Sequence, residues 1–278
     1  MEKNMTYAKK HLGQHFLKNK AKLRKIVDAL ELKRGDVVVE IGPGRGALTF
    51  PLAEKCKELD CKIIAIEKDK ELASELKEKF KDNKNVEIIE GDALKEIKSQ
   101  ISNLKNVKIV GNIPYYITGY LFRIIGELER KPFLIVLLIQ KEVAERVCAK
   151  PPKMNLLAAS VQFWAEPKII GYVSRKDFSP APKVDSAIIK LSPKCSFSHS
   201  QECWNEQNKQ NADNYYQFIK VLFRQPRKTA VNNISKFKNL NMTKEKLVEK
   251  LAGLGIKENA RPQDLSVEQI IALSTLFS

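Results

Sequence analysis

The chain has 278 residues, enough for one large domain or for a moderate domain with a small appendage. It carries 49 Lys and Arg against 33 Asp and Glu, a formal net charge of +16 at pH 7. This excess favours a polyanionic partner, because cations near phosphates release counterions on binding. No apolar run approaches the roughly 18 residues that span a membrane, and the N-terminus lacks the apolar segment of a signal peptide. We therefore expect a soluble, cytoplasmic protein whose five cysteines are reduced thiols.

Seven short apolar runs rich in β-branched residues predict buried strands. They cover residues 37–41, 62–66, 86–89, 108–110, 134–139, 169–173 and 187–191. Helical patterns lie between them, such as residues 70–80, where Leu72, Leu76 and Phe80 fall four apart. This alternation predicts an α/β fold with a parallel sheet and helices on both of its faces.

The pattern changes after residue 193. Residues 194–214 are polar and predict a linker or loop, and three helical patterns follow, the last opened by a capping box from Ser266 to Gln269. We therefore predict three parts: a basic N-terminal segment plus an α/β domain (1–193), a polar linker (194–214) and a small all-helical domain (215–278). Cys195, His199 and Cys203 fall four apart in the linker, but no fourth soft ligand is nearby, so no metal is expected.

The first strand runs into a turn that contains Gly42, Gly44 and Gly46. Glycine lets such a turn adopt positive φ and lets a ligand lie against the backbone. With Ala47 in the last place, the turn also satisfies the dinucleotide-binding pattern G-x-G-x-x-G/A. Glu67 ends the second strand, where a carboxylate can accept both hydroxyls of a ribose. NAD and S-adenosylmethionine both contain adenosine, so these residues predict either cofactor.

Asp92 ends the third strand, at the edge of the sheet where open α/β folds bind their ligands. Its carboxylate could accept a hydrogen bond from the adenine amine of a cofactor. Aspartate in this position is equally typical of a helix N-cap. Both interpretations remain open from the sequence.

The fourth strand ends in Asn112, Ile113, Pro114 and Tyr115, a pattern that resembles the signature of amino-methyltransferases acting on adenine. The exocyclic nitrogen of adenine is a poor nucleophile, because its lone pair is delocalised into the ring. Hydrogen bonds from this amine to the Asn112 oxygen and to a backbone carbonyl favour a tetrahedral, nucleophilic nitrogen. Pro114 stiffens the turn, and Tyr115 offers a face on which an extruded base can stack. The alternative is an ordinary Asn-Pro turn that leaves a buried strand.

With these elements in order, nearly the whole chain resembles the KsgA/RsmA family of ribosomal RNA adenine dimethyltransferases. Further matching blocks are residues 10–17, 140–144, 178–186 and 223–228. The resemblance implies a Rossmann-like S-adenosylmethionine-dependent methyltransferase sheet followed by a small helical domain. It also implies methylation of the N6 amines of two adjacent adenosines near the 3′ end of small-subunit ribosomal RNA, by a monomer with a role in subunit biogenesis.

The resemblance further assigns the site residues. Together with the glycine turn, it implies cofactor binding by seven residues: His15, Leu17, Gly42, Gly44, Glu67, Asp92 and Asn112. It implies catalytic roles for Asn112, Pro114 and Tyr115, and it implies that Phe178 stacks on the target adenine from the face opposite Tyr115. Position 15 is often Asn in this family and is His here, a difference that a backbone contact to the cofactor would survive.

Two basic segments predict the RNA-binding surfaces. Residues 1–25 carry eight Lys or Arg and one acid, and residues 219–238 carry six and no acid. We predict phosphate contacts from five of these cations: Lys9, Lys10, Arg224, Arg227 and Lys228. Solvated charge runs are the alternative interpretation.

Three other functions stay open. An Erm-type methylase shares the catalytic core but modifies large-subunit RNA. A ribosome-assembly factor would bind RNA without needing catalysis, although the intact motif from Asn112 to Tyr115 favours an enzyme. A nicotinamide-dependent oxidoreductase would account for the glycine turn and Glu67 but not for that motif.

Overall fold

The fold is known from a computed structural model that describes residue 9 and residues 13–102, 104–194, 206–236 and 242–277. The strands are β1 (Phe16–Leu17), β2 (Val37–Ile41), β3 (Lys62–Glu67), β4 (Val86–Glu90), β5 (Val107–Asn112), β6 (Leu134–Gln140), β7 (Ala165–Val173), β8 (Phe178–Ser179) and β9 (Ser186–Pro193). The helices are α1 (Lys20–Ala29), α2 (Thr49–Leu59), α3 (Lys70–Lys79), α4 (Ala93–Ile101), α5 (Thr118–Glu127), α6 (Lys141–Val147), α7 (Leu156–Gln162), α8 (Glu206–Leu222), α9 (Ala230–Ile234), α10 (Lys244–Gly253) and α11 (Val267–Ser274). All seven predicted strands are confirmed, β2 with the predicted bounds.

Seven strands form one sheet in the order β4-β3-β2-β5-β6-β9-β7. The pairs from β4 to β6 are parallel, and β9 is antiparallel to β6. Parallel strands covered on both faces are typically continuous apolar runs, and residues 134–139 of β6 are all buried. The predicted α/β class, a Rossmann-like sheet with a helical C-terminal region, is confirmed.

The strand order reverses beside β2, which pairs with β3 on one side and with β5 on the other. Open α/β sheets bind ligands outside the carboxyl ends of the strands at such a reversal. Gly111 permits the close pairing of β2 and β5 at this edge, because a Cβ there would lie 2.6 Å from the carbonyl oxygen of Ile41. The sheet therefore places its crevice at the end of β2, where the glycine turn begins.

A second, two-stranded sheet joins segments that are far apart in sequence. In it, β1 runs antiparallel to β8, with Phe16 opposite Ser179 and Leu17 opposite Phe178. Strands of two residues have no periodicity, so the sequence pattern did not predict this pair. It fixes the segment after Gly13 against the segment that follows β7.

The chain divides into two compact units, and their boundaries differ from the predicted ones. The first contains residues 1–144 and 167–199, and the second contains residues 145–166 and 200–278. Residues 145–166, which we assigned to the α/β domain, thus belong with the helical unit.

The packing of α7 against α8 explains this assignment. The Phe163 ring, just after α7, stacks on the Tyr215 ring with their centroids 4.1 Å apart, and the Tyr215 hydroxyl donates to the Ala159 carbonyl. Helix α8 also begins at Glu206, so residues 206–214 are helical where we predicted a linker. The rest of that linker from residue 195, with Cys195, His199 and Cys203, lies outside the described residues.

None of the helices in the described ranges has both the length and the apolar character needed to cross a bilayer. In the same ranges, no group of three or more His, Cys, Asp or Glu is placed to hold a metal ion.

A buried ion pair lies near the amino end of the sheet. Lys108 Nζ is 2.7 Å from Asp36 Oδ2, and the two side chains are 2% and 6% exposed. Lys108 also donates to the carbonyl of Glu31 at 2.6 Å. Removing one partner of such a pair leaves an uncompensated buried charge, which is more costly than the loss of an exposed pair.

We therefore expect Lys108→Ala to lower the free energy of unfolding by about 3–5 kcal/mol. The matched control is Lys62→Ala, which removes the pair between Lys62 and Glu87, whose side chains are each 50% exposed. That change is expected to cost about 0–1 kcal/mol. Urea denaturation of both variants measures the two costs, and equal costs would show that the buried pair contributes no more than a surface pair.

Candidate active site

A cavity of about 180 Å³ opens at the carboxyl ends of β2, β3 and β5. Its walls come from the glycine turn, the strand ends and the segment from Gly13 to Leu17. Nine of the ten predicted catalytic and cofactor-binding residues line it: His15, Leu17, Gly42, Gly44, Glu67, Asp92, Asn112, Pro114 and Tyr115. Residues predicted from separate motifs thus share one site.

The turn requires Gly42 and Gly44 for different reasons. Gly42 and Gly44 both have positive φ, +66° and +60°. A Cβ at Gly42 would meet nothing within 4 Å, so the space beside it is open to a ligand. A Cβ at Gly44 would lie 2.9 Å from the Phe16 ring, so this glycine is also required by the packing of β1.

The carboxylate of Glu67 lies at the end of β3, and the residue is 6% exposed. Its two oxygens accept from the backbone N–H groups of Gly44, at 2.9 Å, and of Asp69, at 2.8 Å. Burial raises the pKa of Glu67, and these two backbone hydrogen bonds oppose the shift. Each oxygen keeps a further lone pair, so the carboxylate can still accept two ribose hydroxyls.

Asp92 is the N-cap of α4, where its Oδ1 accepts from the N–H of Leu94 at 3.1 Å. Its Oδ2 forms an ion pair with Lys68 Nζ at 2.9 Å. Burial alone would raise the pKa of Asp92, but the bonds from Lys68 and Leu94 together lower it below its ordinary value. The N-cap interpretation is confirmed, and the residue also lines the cavity, so the two interpretations are compatible.

The side chain of Asn112 is held in one orientation. Its Nδ2 donates to the carbonyl of His15 at 2.7 Å. Within the described part of the chain, no hydrogen bond engages its Oδ1. An amide oxygen with a fixed position and no protein donor is the acceptor that an incoming amine requires.

Tyr115 is anchored at its far end. Its hydroxyl lies 2.9 Å from Ser186 Oγ at the start of β9, and its half-buried position raises its pKa. Pro114 precedes it with extended backbone and accepts from the N–H of Ile117 at 3.1 Å. The hydroxyl bond to Ser186 therefore holds the phenol ring, and the turn that begins at Pro114 holds the backbone of Tyr115.

Phe178 does not line the cavity, unlike the other predicted catalytic residues. It is 3% exposed and belongs to the hydrophobic core that includes Leu17 and Val173. Its position opposite Leu17 in the β1–β8 pair directs its side chain inward. Its role in stacking on the adenine stays a prediction.

Lys9 is engaged within the chain. Its ammonium pairs with Asp69 at 2.9 Å and with Glu71 at 3.2 Å, and Gln14 Nε2 donates to the other oxygen of Asp69 at 2.9 Å. These contacts fasten the N-terminal segment to the start of α3, so the charge of Lys9 is balanced before any RNA is present. Lys10 lies outside the described residues.

The predicted cations of the helical unit lie on an exposed loop, residues 224–228, between α8 and α9. The side chain of Asn233, which is 2% exposed, holds this loop. Its Nδ2 donates to the carbonyls of Gln225 and Thr229, and its Oδ1 accepts from the N–H of Gln225. No ion pair within the described ranges engages the loop's cations, which are Arg224, Arg227 and Lys228.

The reversed strand order, the open glycine turn, the acid that ends β3 and the acid that follows β4 fit the adenosine half of a nucleotide-like cofactor. The Asn112 turn places a fixed amide oxygen beside it, an acceptor that a nicotinamide enzyme would not need. Fold and site together define a Rossmann-like S-adenosylmethionine-dependent methyltransferase.

Comparison with known proteins identifies the family. The family model for ribosomal RNA adenine dimethylase matches residues 5–278. The chain belongs to this family, which confirms the resemblance seen in the sequence, and its cofactor is S-adenosylmethionine.

Individual relatives agree. The ribosomal RNA small subunit methyltransferase A of Mycoplasma capricolum is 38% identical over 97% of each chain. A solved dimethyladenosine transferase from Plasmodium falciparum is 28% identical, with a TM-score of 0.73 over 93% of this chain and 95% of that one. The 23S rRNA methyltransferase ErmE shares the fold, at 22% identity and a TM-score of 0.72 over 94% of this chain and 99% of that one.

Glu40 is a carboxyl group that sequence reasoning missed. It belongs to β2, lines the cavity and is 1% exposed, and within the described residues its Oε2 has no hydrogen-bond partner. Burial raises the pKa of Glu40 to about 8, and the nearby charge of Glu67 adds to the shift. The nearby Thr49 hydroxyl acts in the opposite direction and lowers this pKa, although the two groups are not in hydrogen-bond geometry.

The raised pKa of Glu40 predicts a pH dependence of stability. Between its ordinary pKa of 4.5 and about 8, the folded protein keeps a proton that the unfolded chain has lost. The free energy of unfolding should therefore fall as pH rises through this window, by up to about 1.4 kcal/mol per pH unit. Glu40→Gln should remove this component.

Melting curves of both proteins from pH 5 to 9 test this. We expect the stability of Glu40→Gln relative to that of the wild type to rise steadily up to about pH 8 and to stay constant above it. A constant offset between the two proteins would show that Glu40 ionises with an ordinary pKa.

Proposed function

We propose that the protein methylates the N6 amines of two adjacent adenosines near the 3′ end of small-subunit ribosomal RNA. The main support is Asn112, whose amide is fixed by the His15 carbonyl and whose oxygen has no protein donor in the described residues. The name shared by the bacterial relatives, ribosomal RNA small subunit methyltransferase A, supports the choice of subunit.

Catalysis depends on how the amine is held. The Asn112 oxygen and a backbone carbonyl of the turn that Pro114 stiffens accept the two amine protons, so the nitrogen lone pair is drawn out of conjugation. Tyr115 supports the extruded base from one side. Bound S-adenosylmethionine supplies a methyl group on a positively charged sulfur. With that methyl group passed to its nitrogen, the amine would release a proton to water and S-adenosylhomocysteine would be left.

The other predicted residues bind the cofactor. Glu67 accepts the ribose hydroxyls, Asp92 accepts the adenine amine, and Gly42 leaves room for the cofactor against the backbone. His15, Leu17 and Gly44 complete the wall through the segment that covers the turn. Attack is then favoured mainly by position, since both reactants are held in one small cavity.

Exposed cations bind the RNA. Arg224, Arg227 and Lys228 lie on a loop that Asn233 holds rigid, so little conformational freedom is lost when they meet phosphates. We propose that the protein acts as a monomer on the immature small subunit, in the cytoplasm where that subunit assembles.

The direct test supplies labelled S-adenosylmethionine with under-methylated small or large ribosomal subunits. We expect label on adenosines of the small subunit only. Label on the large subunit would support an Erm-type activity, and RNA binding without any label would support an assembly factor.

Asn112→Ala should lower the methylation rate at saturating cofactor roughly 100-fold or more, about the effect of losing one preorganised polar partner. RNA affinity should change little, because phosphate contacts elsewhere dominate it. Cofactor affinity is measured in parallel by calorimetry, since Asn112 also lines the cofactor cavity. A variant that methylates at the wild-type rate would show that the motif is a structural turn without a catalytic role.

Neutralising the loop of the helical unit should flatten the salt dependence of RNA affinity. With Arg224, Arg227 and Lys228 all changed to Gln, the slope of log affinity against log salt should fall by roughly 0.7–0.9 for each phosphate that the loop no longer neutralises. The control variant changes three exposed lysines of the α/β unit, Lys57, Lys77 and Lys84, and alters net charge equally. Equal slopes in the two variants would mean that the loop does not bind phosphates.

A further inference from the structure

Two exposed tyrosines lie at the edge of the cavity. Tyr116 follows Tyr115 directly, and Tyr120 lies four residues further along, near the start of α5. They are 61% and 55% exposed, more than any other large hydrophobic side chain in the described residues. Single exposed aromatic side chains are common, but two neighbouring ones at the edge of a site indicate a surface that binds a partner.

The backbone places both tyrosines on one side of the chain. Residues 115–117 form a 3-10 turn that continues directly into α5. Residues four apart on a helix share a face, so Tyr116 and Tyr120 are neighbours. Gly119 lies beside them, and a Cβ added there would meet nothing within 4 Å. The surface next to the two rings is therefore open.

This surface is continuous with the cavity. Tyr116 lines the cavity together with Gly13 and Tyr115. A Cβ added at Gly13 would lie 3.4 Å from Cε1 of Tyr116, so the backbone of the N-terminal segment supports the edge of this ring. Tyr120 lies outside the lining. The two tyrosines thus lead from the rim of the cavity outward over the start of α5.

An unpaired RNA base fits this surface. When one base leaves its stack and enters the cavity, the nucleotide next to it must lie at the rim. The base of that nucleotide has lost a stacking neighbour, and an aromatic side chain can replace that neighbour whatever the identity of the base. Two rings, one at the rim and one a turn away, provide such a replacement.

The charges near the two rings suit an RNA strand. Lys68 lies near Tyr116 and Arg123 lies near Tyr120, each close enough to interact electrostatically with the tyrosine. Each cation also pairs with a carboxylate, but the two side chains are 56% and 69% exposed. A phosphate beside either ring would therefore meet an accessible cation.

We propose that Tyr116 and Tyr120 form a stacking platform for the unpaired base next to the target adenosine. This proposal rests on the proposed function, because it adds a contact to the same substrate outside the cavity. The proposed substrate has two adjacent adenosines. While the base of one lies in the cavity beside Tyr115, the base of the other rests on the platform.

The test compares two double variants. One changes Tyr116 and Tyr120 to Ala, and the other changes both to Phe, which keeps the rings and removes the hydroxyls. With immature small subunits at saturating cofactor, the alanine pair should raise KM about tenfold or more and leave kcat near the wild-type value, because stacking outside the cavity contributes to binding. The phenylalanine pair should behave like the wild type.

The matched control is Phe133→Ala. Phe133 is 42% exposed and directly precedes β6, at the amino end of the sheet and away from the cavity. Its loss should leave KM unchanged, and a rise equal to that of the alanine pair would reject the platform. S-adenosylhomocysteine affinity, measured by calorimetry, should be the same in all variants.

A simpler probe isolates the stacking contact. Affinity is measured for single-stranded oligoadenylate and for an RNA duplex of the same length, over a range of salt concentrations. The alanine pair should bind oligoadenylate about tenfold more weakly at every salt concentration, because the salt dependence comes from charged contacts and no charge is removed. Duplex affinity should not change, since paired bases already stack on one another.

The other outcomes overturn the proposal. Wild-type affinity for oligoadenylate in the alanine pair would show that the rings hold no base. A phenylalanine pair as weak as the alanine pair would assign the effect to the hydroxyls, and an equal loss for the duplex would assign it to the fold or to phosphate contacts. Loss of S-adenosylhomocysteine affinity would assign Tyr116 to the cofactor. A wild type that methylates no small subunit would instead reject the proposed function, while its oligoadenylate affinity would still report on the tyrosines.

Discussion

The site depends on one bond between distant parts of the chain, from Asn112 Nδ2 to the carbonyl of His15. It joins the end of β5 to the segment that β1 pins against β8. The ion pair of Lys9 with Asp69 and the Phe16 ring over Gly44 fasten the same segment further. Without this segment the cavity would lack one wall, and the Asn112 amide would be free to rotate.

The geometry of the parallel sheet explains how far the sequence could predict the site. Glu67 and Asn112 each end a strand and Asp92 follows one by two residues, and the carboxyl ends of parallel strands necessarily share one edge of a sheet. The strand pattern is therefore enough to place these three together. The strands themselves follow from runs of β-branched residues, which is why their predicted bounds agree so closely with the structure.

The remaining features depend on contacts that no local pattern records. The β1–β8 pair joins residues about 160 positions apart through strands of two residues each. The motif around Phe178 was visible in the sequence, but its pairing with Leu17 was not. The apolar residues of α8 are separated by Asn, Gln and Lys, so its first turns resembled a linker. The sequence placed residues 145–166 in the other domain for a similar reason, because the ring that stacks on Phe163 belongs to Tyr215, far along the chain.

The division of the chain also constrains the order in which the protein can fold as it is made. The sheet has β9 between β6 and β7, so it cannot be completed until residue 193 has been synthesised. The buried residues of α7 must wait longer still, because α8 and α11, which pack on it, are translated after residue 193. During synthesis, α7 therefore still lacks its packing partners α8 and α11 when the last strand of the sheet has been made.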